Sequence, residues 1–306
     1  MKRPLQGALT ALVTPFDAQG EVDYVALTRN VHKQIGHGID GLVPCGTTGE
    51  TATLSIAEQE KVVRTVIEAG AGRVPVVAGT GTNATKETVE RTLRAKSWGA
   101  DAALVVCPYY NKPTQEGLFR HFKAVWEESG MPIVAYNVPG RTACDMNADT
   151  IGRLAELGAI VAVKDATADL ARCAETLAAI GDRPVSLLSG DDFTILPFVA
   201  TGGRGVISVV SNIAPRDTAR LVTETVANNW AVARPLNQRI IALSRALFLV
   251  SNPIPIKAAM ALGRWCAPTL RLPLVEAEAA ITTKIKVAMN RYRGTSDETS
   301  LDGFLS

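Results

Sequence analysis

Short apolar runs rich in Val, Ile, Leu and Ala alternate along this chain with longer segments of helical period. The runs fall at 9–13, 41–45, 75–79, 102–107, 133–138, 160–164, 185–189 and 206–210. Being apolar on both faces, they read as strands of a parallel sheet, and helical segments such as 55–69 and 86–97 supply the crossovers between them. Strand ends at Thr14, Cys45, Thr80, Cys107, Asn137, Lys164, Gly190 and Val210 recur every roughly 20–35 residues, the repeat of a βα unit. This predicts an α/β fold, a (β/α)8 TIM barrel over 1–225. Segments 214–228, 231–249 and 275–293 read as helices, so a small C-terminal helical domain is expected over 226–293, with a polar tail at 294–306. An open doubly wound sheet is the alternative. It would carry G-x-G-x-x-G after an early strand, whereas Gly79-Thr80-Gly81 lacks the third glycine and follows the third strand.

Composition narrows the partners. The 306 residues hold 32 Lys+Arg against 30 Asp+Glu, a net charge of +2 with signs evenly mixed, so counterion release offers no drive toward nucleic acid. The uncharged stretch at 4–16 falls short of the about 18 apolar residues of a membrane span and has no signal-peptide cleavage site, so no membrane partner is expected. Five widely spread cysteines without a C-x-x-C pair suit a reducing cytoplasm and small core roles. His32, His37 and His121 are not spaced with other ligands, so no metal is expected.

In a barrel of this kind, chemistry sits at the C-terminal ends of strands. Lys164 ends the sixth run, on one face with Ala162 and Ile160. Apolar neighbours disfavour an ammonium, and a neutral amine attacks a ketone to form a Schiff base; the alternatives are a lysine snorkelling to solvent or paired with Asp165. Tyr136 shares a face with Val134 and suits a proton shuttle, or else a core tyrosine with a local hydrogen bond. Arg141, after the Pro139-Gly140 turn, can clamp a carboxylate or remain solvated. Cys45-Gly46-Thr47-Thr48-Gly49-Glu50 offers small residues and hydroxyls for a carboxylate, or an N-cap for the helix from Ser55. Tyr109 and Tyr110 end the fourth strand, so three of the five tyrosines lie at two strand ends. Asp191 and Asp192 are read as caps of a helix over 193–200. Gly202 and Gly203 precede the eighth strand, at the wrong end for a phosphate site.

Taken in order, Gly46-Thr47-Thr48-Gly49-Glu50, Tyr109-Tyr110-Asn111-Lys112-Pro113, Tyr136-Asn137-Val138-Pro139-Gly140-Arg141-Thr142 and Lys164-Asp165-Ala166-Thr167 closely resemble the dihydrodipicolinate synthase family, from about residue 7 to the last helix. The wider group of pyruvate-dependent class I aldolases shares the Gly-Thr-Thr-Gly-Glu turn and the lysine, and includes N-acetylneuraminate lyase and sugar-acid aldolases. The resemblance implies that Lys164 forms a Schiff base with pyruvate and that the enamine attacks (S)-aspartate semialdehyde to give 4-hydroxy-tetrahydrodipicolinate. Thr48, Tyr136 and Tyr110 match the proton relay, Tyr110 coming from a neighbouring subunit. Thr47 and Thr48 match the pyruvate-carboxylate site, Arg141 the semialdehyde site, and Gly190 and Ile207 positions whose backbone lines the pocket. It also implies a homotetramer, a dimer of dimers, without an organic cofactor. Another aldolase of the group and a non-catalytic keto-acid sensor are the alternatives; Arg141 favours a short aldehyde bearing a carboxylate, and the relay disfavours the sensor.

Departures from the pattern are few. Ala143 stands where a glycine is common and Asp165 where a glutamate is frequent. Asn83, Glu87 and Tyr109 match the family's allosteric lysine site, but Ile56 and Gln59 stand where lysine-sensitive relatives carry histidines, so weak or absent feedback is expected.

Overall fold

The structure, a computed structural model, describes residues 4–294. The tail expected at 294–306 lies, apart from Gly294, outside the described residues. Eight strands alternate with helices: β1 Gly7–Ala11, α1 Tyr24–Gly36, β2 Gly41–Val43, α2 Ile56–Gly70, β3 Val77–Gly79, α3 Thr85–Trp98, β4 Ala102–Val106 and α4 Gln115–Ser129. There follow β5 Ile133–Asn137, α5 Pro139–Thr142, α6 Ala148–Leu157, β6 Ala162–Asp165, α7 Leu170–Ile180, β7 Ser186–Ser189, α8 Ile195–Ala200 and β8 Gly205–Ser208. The chain then runs through α9 Pro215–Val226, α10 Trp230–Leu247, α11 Ile254–Leu262 and α12 Ala279–Arg293.

All ladders are parallel, in the order β2-β1-β8-β7-β6-β5-β4-β3. A Leu42–Val76 bridge, with Leu42 N–H donating to Pro75 O at 3.0 Å and Gly79 N–H to Pro44 O at 3.0 Å, joins β2 to β3 and closes the barrel. Strand alternation sorts the side chains. Leu9, Val43, Val77, Leu104, Val134, Tyr136, Ala162, Leu188 and Ile207 fill the interior, while Ala103, Val105, Ala135, Val163 and Leu187 pack outward on helices.

The strands are displaced from or shorter than their apolar runs, for identifiable reasons. β2 stops before Cys45, whose φ of 55° turns the chain out of the extended region. β1 begins at Gly7, two residues before its run, and β8 ends at Ser208, where 210–212 winds into a 3-10 turn. Ile160 precedes β6 and packs in the outer cluster, so it does not share the inner face of Ala162 as expected.

The capping role expected of Asp191 and Asp192 is overturned, since neither is the N-cap of α8. Thr194 is the N-cap of α8 and makes no side-chain cap bond. The buried Asp192 carboxylate instead accepts from the Ser208 hydroxyl at 2.5 Å and from Val209 and Val210 N–H at 2.9 and 3.1 Å, fastening the end of β8. Burial still pushes its carboxyl up to about 6.

α11 was not foreseen. Ile256, Lys257, Ala258, Ala259 and Met260 in it are buried, so no polar stripe marks its helical period. One apolar cluster joins Leu27 of α1, Val62 of α2 and Leu221 of α9 to Ile240, Ile256 and Ile285, so the C-terminal helices share a core with the barrel.

Candidate active site

Lys164 stands on the inner face at the C-terminal end of β6, in register with Tyr136 of β5 and Leu188 of β7. Its ammonium lies 4.2 Å from the centroid of the Tyr136 ring, as neighbouring inward side chains of paired strands must. Only 6% of Lys164 is exposed, too little for snorkelling, and among the described residues no carboxylate lies within ion-pair distance of it. Asp165 points to the other face, where its carboxylate accepts from Thr167 N–H at 2.9 Å and burial raises its proton affinity. Gly190 leaves the lysine its space. A Cβ there would sit 3.1 Å from Lys164 Cγ and Cε and 2.8 Å from the Ala166 methyl.

The loop after β2 brings Thr48 into the mouth and buries it, with Thr47 half-buried beside it. The loop is held from below and from behind. Thr14 Oγ1 donates to Gly49 O at 2.8 Å, and Glu50, at φ 53°, sends its carboxylate into a buried ion pair with Lys257 of α11 at 2.5 Å. Glu50 Oε2 also accepts from Arg271 N–H at 3.1 Å. Burial lowers the proton affinity of Lys257, and the Glu50 charge opposes that shift. Lys257 Nζ and the Arg271 guanidinium both stand over the Phe16 ring, at 3.7 and 4.6 Å from its centroid. Arg271 further grips Glu58, whose carboxyl it holds down at about 2, and donates to Gly20 O and Thr53 O at 2.9 and 3.0 Å. Ser55 and Glu58 form the capping box of α2, so the Gly-Thr-Thr-Gly-Glu turn is not that helix's cap.

Arg141 was expected on a loop and sits instead in α5, a single turn that Pro139 starts by fixing φ at its first position. The turn ends at Ala143 in the left-handed region, φ 54°. Arg141 is exposed, and its Nη2 donates to Asn252 O at 3.0 Å. Asn252, between α10 and α11, also donates from Nδ2 to Thr48 Oγ1 at 3.0 Å. Sequence reasoning missed Asn252, because it lies beyond the last strand and no repeat or motif marks it.

The remaining expected site residues divide by depth. Ile207 is buried on the inner face of β8. A cavity of about 50 Å³ lies among Cys45, Thr47, Thr51, Thr80, Leu104 and Tyr136. Tyr110, by contrast, is 89% exposed with φ 74°, and this chain alone does not bring it to Lys164. Of the residues matched to a lysine site, Asn83 O accepts from Asn111 Nδ2 at 2.8 Å, Glu87 pairs with Arg91 at 2.6 Å, and Tyr109 is partly exposed. Ile56 is half-exposed, whereas Gln59 is buried with its amide donating to Leu54 O at 3.0 Å. Burial pushes the His121 imidazole down to about 4. Among the described residues, no three His, Cys, Asp or Glu side chains are grouped for a metal ion, and no helix is long and apolar enough to cross a membrane.

Residues 4–292 match the dihydrodipicolinate synthetase family. The 4-hydroxy-tetrahydrodipicolinate synthase of Anaeromyxobacter sp. (strain Fw109-5) is 51% identical over 288 residues, covering 94% of this chain and 97% of the relative. The chloride-inhibited dihydrodipicolinate synthase of Acinetobacter baumannii, solved in complex with pyruvate, superposes with a TM-score of 0.92 at 41% identity, covering 94% of this chain and 99% of that one. The enzyme of Cyanidioschyzon merolae with lysine bound gives 0.91 at 38% identity, covering 94% and 98%.

Proposed function

This chain belongs to the dihydrodipicolinate synthetase family, and we propose that Lys164 is the residue through which it performs the family's reaction. The protein is a lyase that condenses pyruvate with (S)-aspartate semialdehyde to 4-hydroxy-tetrahydrodipicolinate, on the route to diaminopimelate and lysine. One observation carries the assignment of Lys164: a buried lysine with no carboxylate partner among the described residues, beside a tyrosine at the mouth of the barrel.

The Lys164 amine attacks the ketone carbon of pyruvate, and loss of water leaves an iminium. That cation accepts the electron pair released when a methyl proton departs, so the enamine forms without a metal or an organic cofactor. The enamine carbon attacks the aldehyde of the second substrate, and its amine then closes the ring and displaces Lys164. Thr48, Tyr136 and Tyr110 pass protons, Thr47 and Thr48 hold the pyruvate carboxylate, and the backbone at Gly190 and Ile207 lines the pocket. Arg141 receives the semialdehyde carboxylate through a charge-assisted pair. Exposure of Tyr110 supports its delivery into a neighbouring subunit's site, within a homotetramer built as a dimer of dimers. The five free cysteines suit a cytoplasmic setting.

Incubation with pyruvate and borohydride tests the central assignment. It should add one three-carbon unit at Lys164, and labelling at another lysine with activity retained in Lys164→Ala would sink it. Asn83, Glu87 and Tyr109 mark a lysine cleft of weak response, because Glu87 is already paired with Arg91 and Gln59 turns its amide inward. Half-inhibition of turnover by submillimolar lysine overturns that part.

A further inference from the structure

Asn252 reaches both halves of the site from the C-terminal segment. Its main-chain carbonyl accepts from Arg141 Nη2, and its side-chain Nδ2 donates to Thr48 Oγ1, each at 3.0 Å. The residue is only 7% exposed, and its Oδ1 is buried without a hydrogen-bond partner. A hydroxyl has one proton and two lone pairs. With one lone pair of Thr48 filled by an amide N–H, its proton cannot turn back toward Asn252. It remains for the substrate side. We propose that Asn252 is a positioning residue that sets the direction in which Thr48 passes its proton.

The inference rests on the reading of Thr48 as a member of the relay. It also separates two tasks within one residue, since Arg141 is held by the main chain and Thr48 by the side chain. A change of side chain therefore acts on proton transfer and leaves semialdehyde binding in place.

Asn252→Ala should lower kcat about ten- to a hundredfold, with KM for both substrates within about threefold, as loss of an oriented proton donor requires. Asn252→Asp keeps the shape but places a carboxylate where an N–H donor was. Thr48 then donates its proton to that carboxylate, so kcat falls at pH 8 and recovers toward the native value as acid protonates the new side chain, a limb absent from the native pH profile. In a Thr48→Val background, Asn252→Ala should change kcat by no more than about twofold, because the interaction it removes is already gone. Full activity of Asn252→Asp at pH 8 overturns the proposal, since it reverses the donor. Full multiplication of the Ala and Val effects overturns it as well. A Thr48→Val enzyme of native activity would bring down the relay reading and this inference with it. A crippled Thr48→Val beside an unaffected Asn252→Ala would remove this inference alone.

Discussion

Of the buried lysines among the described residues, Lys257 and Lys164 differ in the charge that faces them. Both stand over an aromatic ring, but Lys257 has Glu50 at 2.5 Å and serves as a fastening, whereas Lys164 has no carboxylate within ion-pair distance among the described residues. The difference separates a cation held in an ion pair from the amine proposed to react. Arg141 stands apart from both, exposed at the rim and, among the described residues, tied to a main-chain oxygen. Arg141→Ala should therefore lower kcat/KM for aspartate semialdehyde by roughly tenfold to a few hundredfold, the worth of a charge-assisted pair at about 1.5–3 kcal/mol. Borohydride trapping of pyruvate should stay near native, and an equal fall in trapping would contradict the assignment. The placement of Lys164, Tyr136 and Arg141 was legible because each sits at or just past the end of an apolar run. Asn252 was not, since its role depends on a segment folding back over the barrel from more than a hundred residues away in sequence. Asp192 was misread for a related reason, as an acidic residue before a helix resembles a cap until its contacts with β8 are seen.

At the scale of elements, all eight strands were legible in order because a parallel barrel buries both faces of each. Their ends were not, because the apolar runs continue into turns whose residues are buried as well. Val210 is the clearest case: buried and β-branched, it belongs to a 3-10 turn. α11 escaped notice because burial of the whole stretch Pro255 to Met260 erases amphipathic period. The short α5 has a measurable peculiarity. Ala143 ends it at φ 54°, a conformation that carries a penalty for a residue with a Cβ and none for glycine. Ala143→Gly should raise the unfolding free energy by about 0.5–1 kcal/mol after allowance for the freer unfolded chain. Urea unfolding measures it, and a destabilised variant would show that the turn is not strained at this position.

For the whole molecule, burial of thiols sets the response to alkali. Burial pushes Cys45 up to about 12 and Cys173 to about 11, and drives Cys107 higher still. An unfolded thiol ionises near about 8.5. Above that pH the unfolded chain releases protons that the folded chain retains, so stability falls as pH rises and continues to fall until the folded thiols ionise. Each fully buried thiol should subtract about 1–2 kcal/mol between pH 8 and pH 10. Denaturant midpoints across that range check the expectation, and Cys173→Ala should flatten the slope by one thiol's share. A level profile from pH 8 to pH 10 would contradict it.

The clasp made by Asn252, Lys257 and Arg271 on the loop after β2 also has a consequence in time. A ribosome has threaded out all eight strands once Ser208 is clear of the exit tunnel, and Lys164 has emerged with them. The loop bearing Thr47 and Thr48 then has Thr14 beneath it but is still without its three C-terminal anchors. Lys164 is made early and the clasp on the neighbouring loop is finished late. During translation the barrel strands are therefore all made before Asn252, Lys257 and Arg271 can reach the loop that bears Thr47 and Thr48.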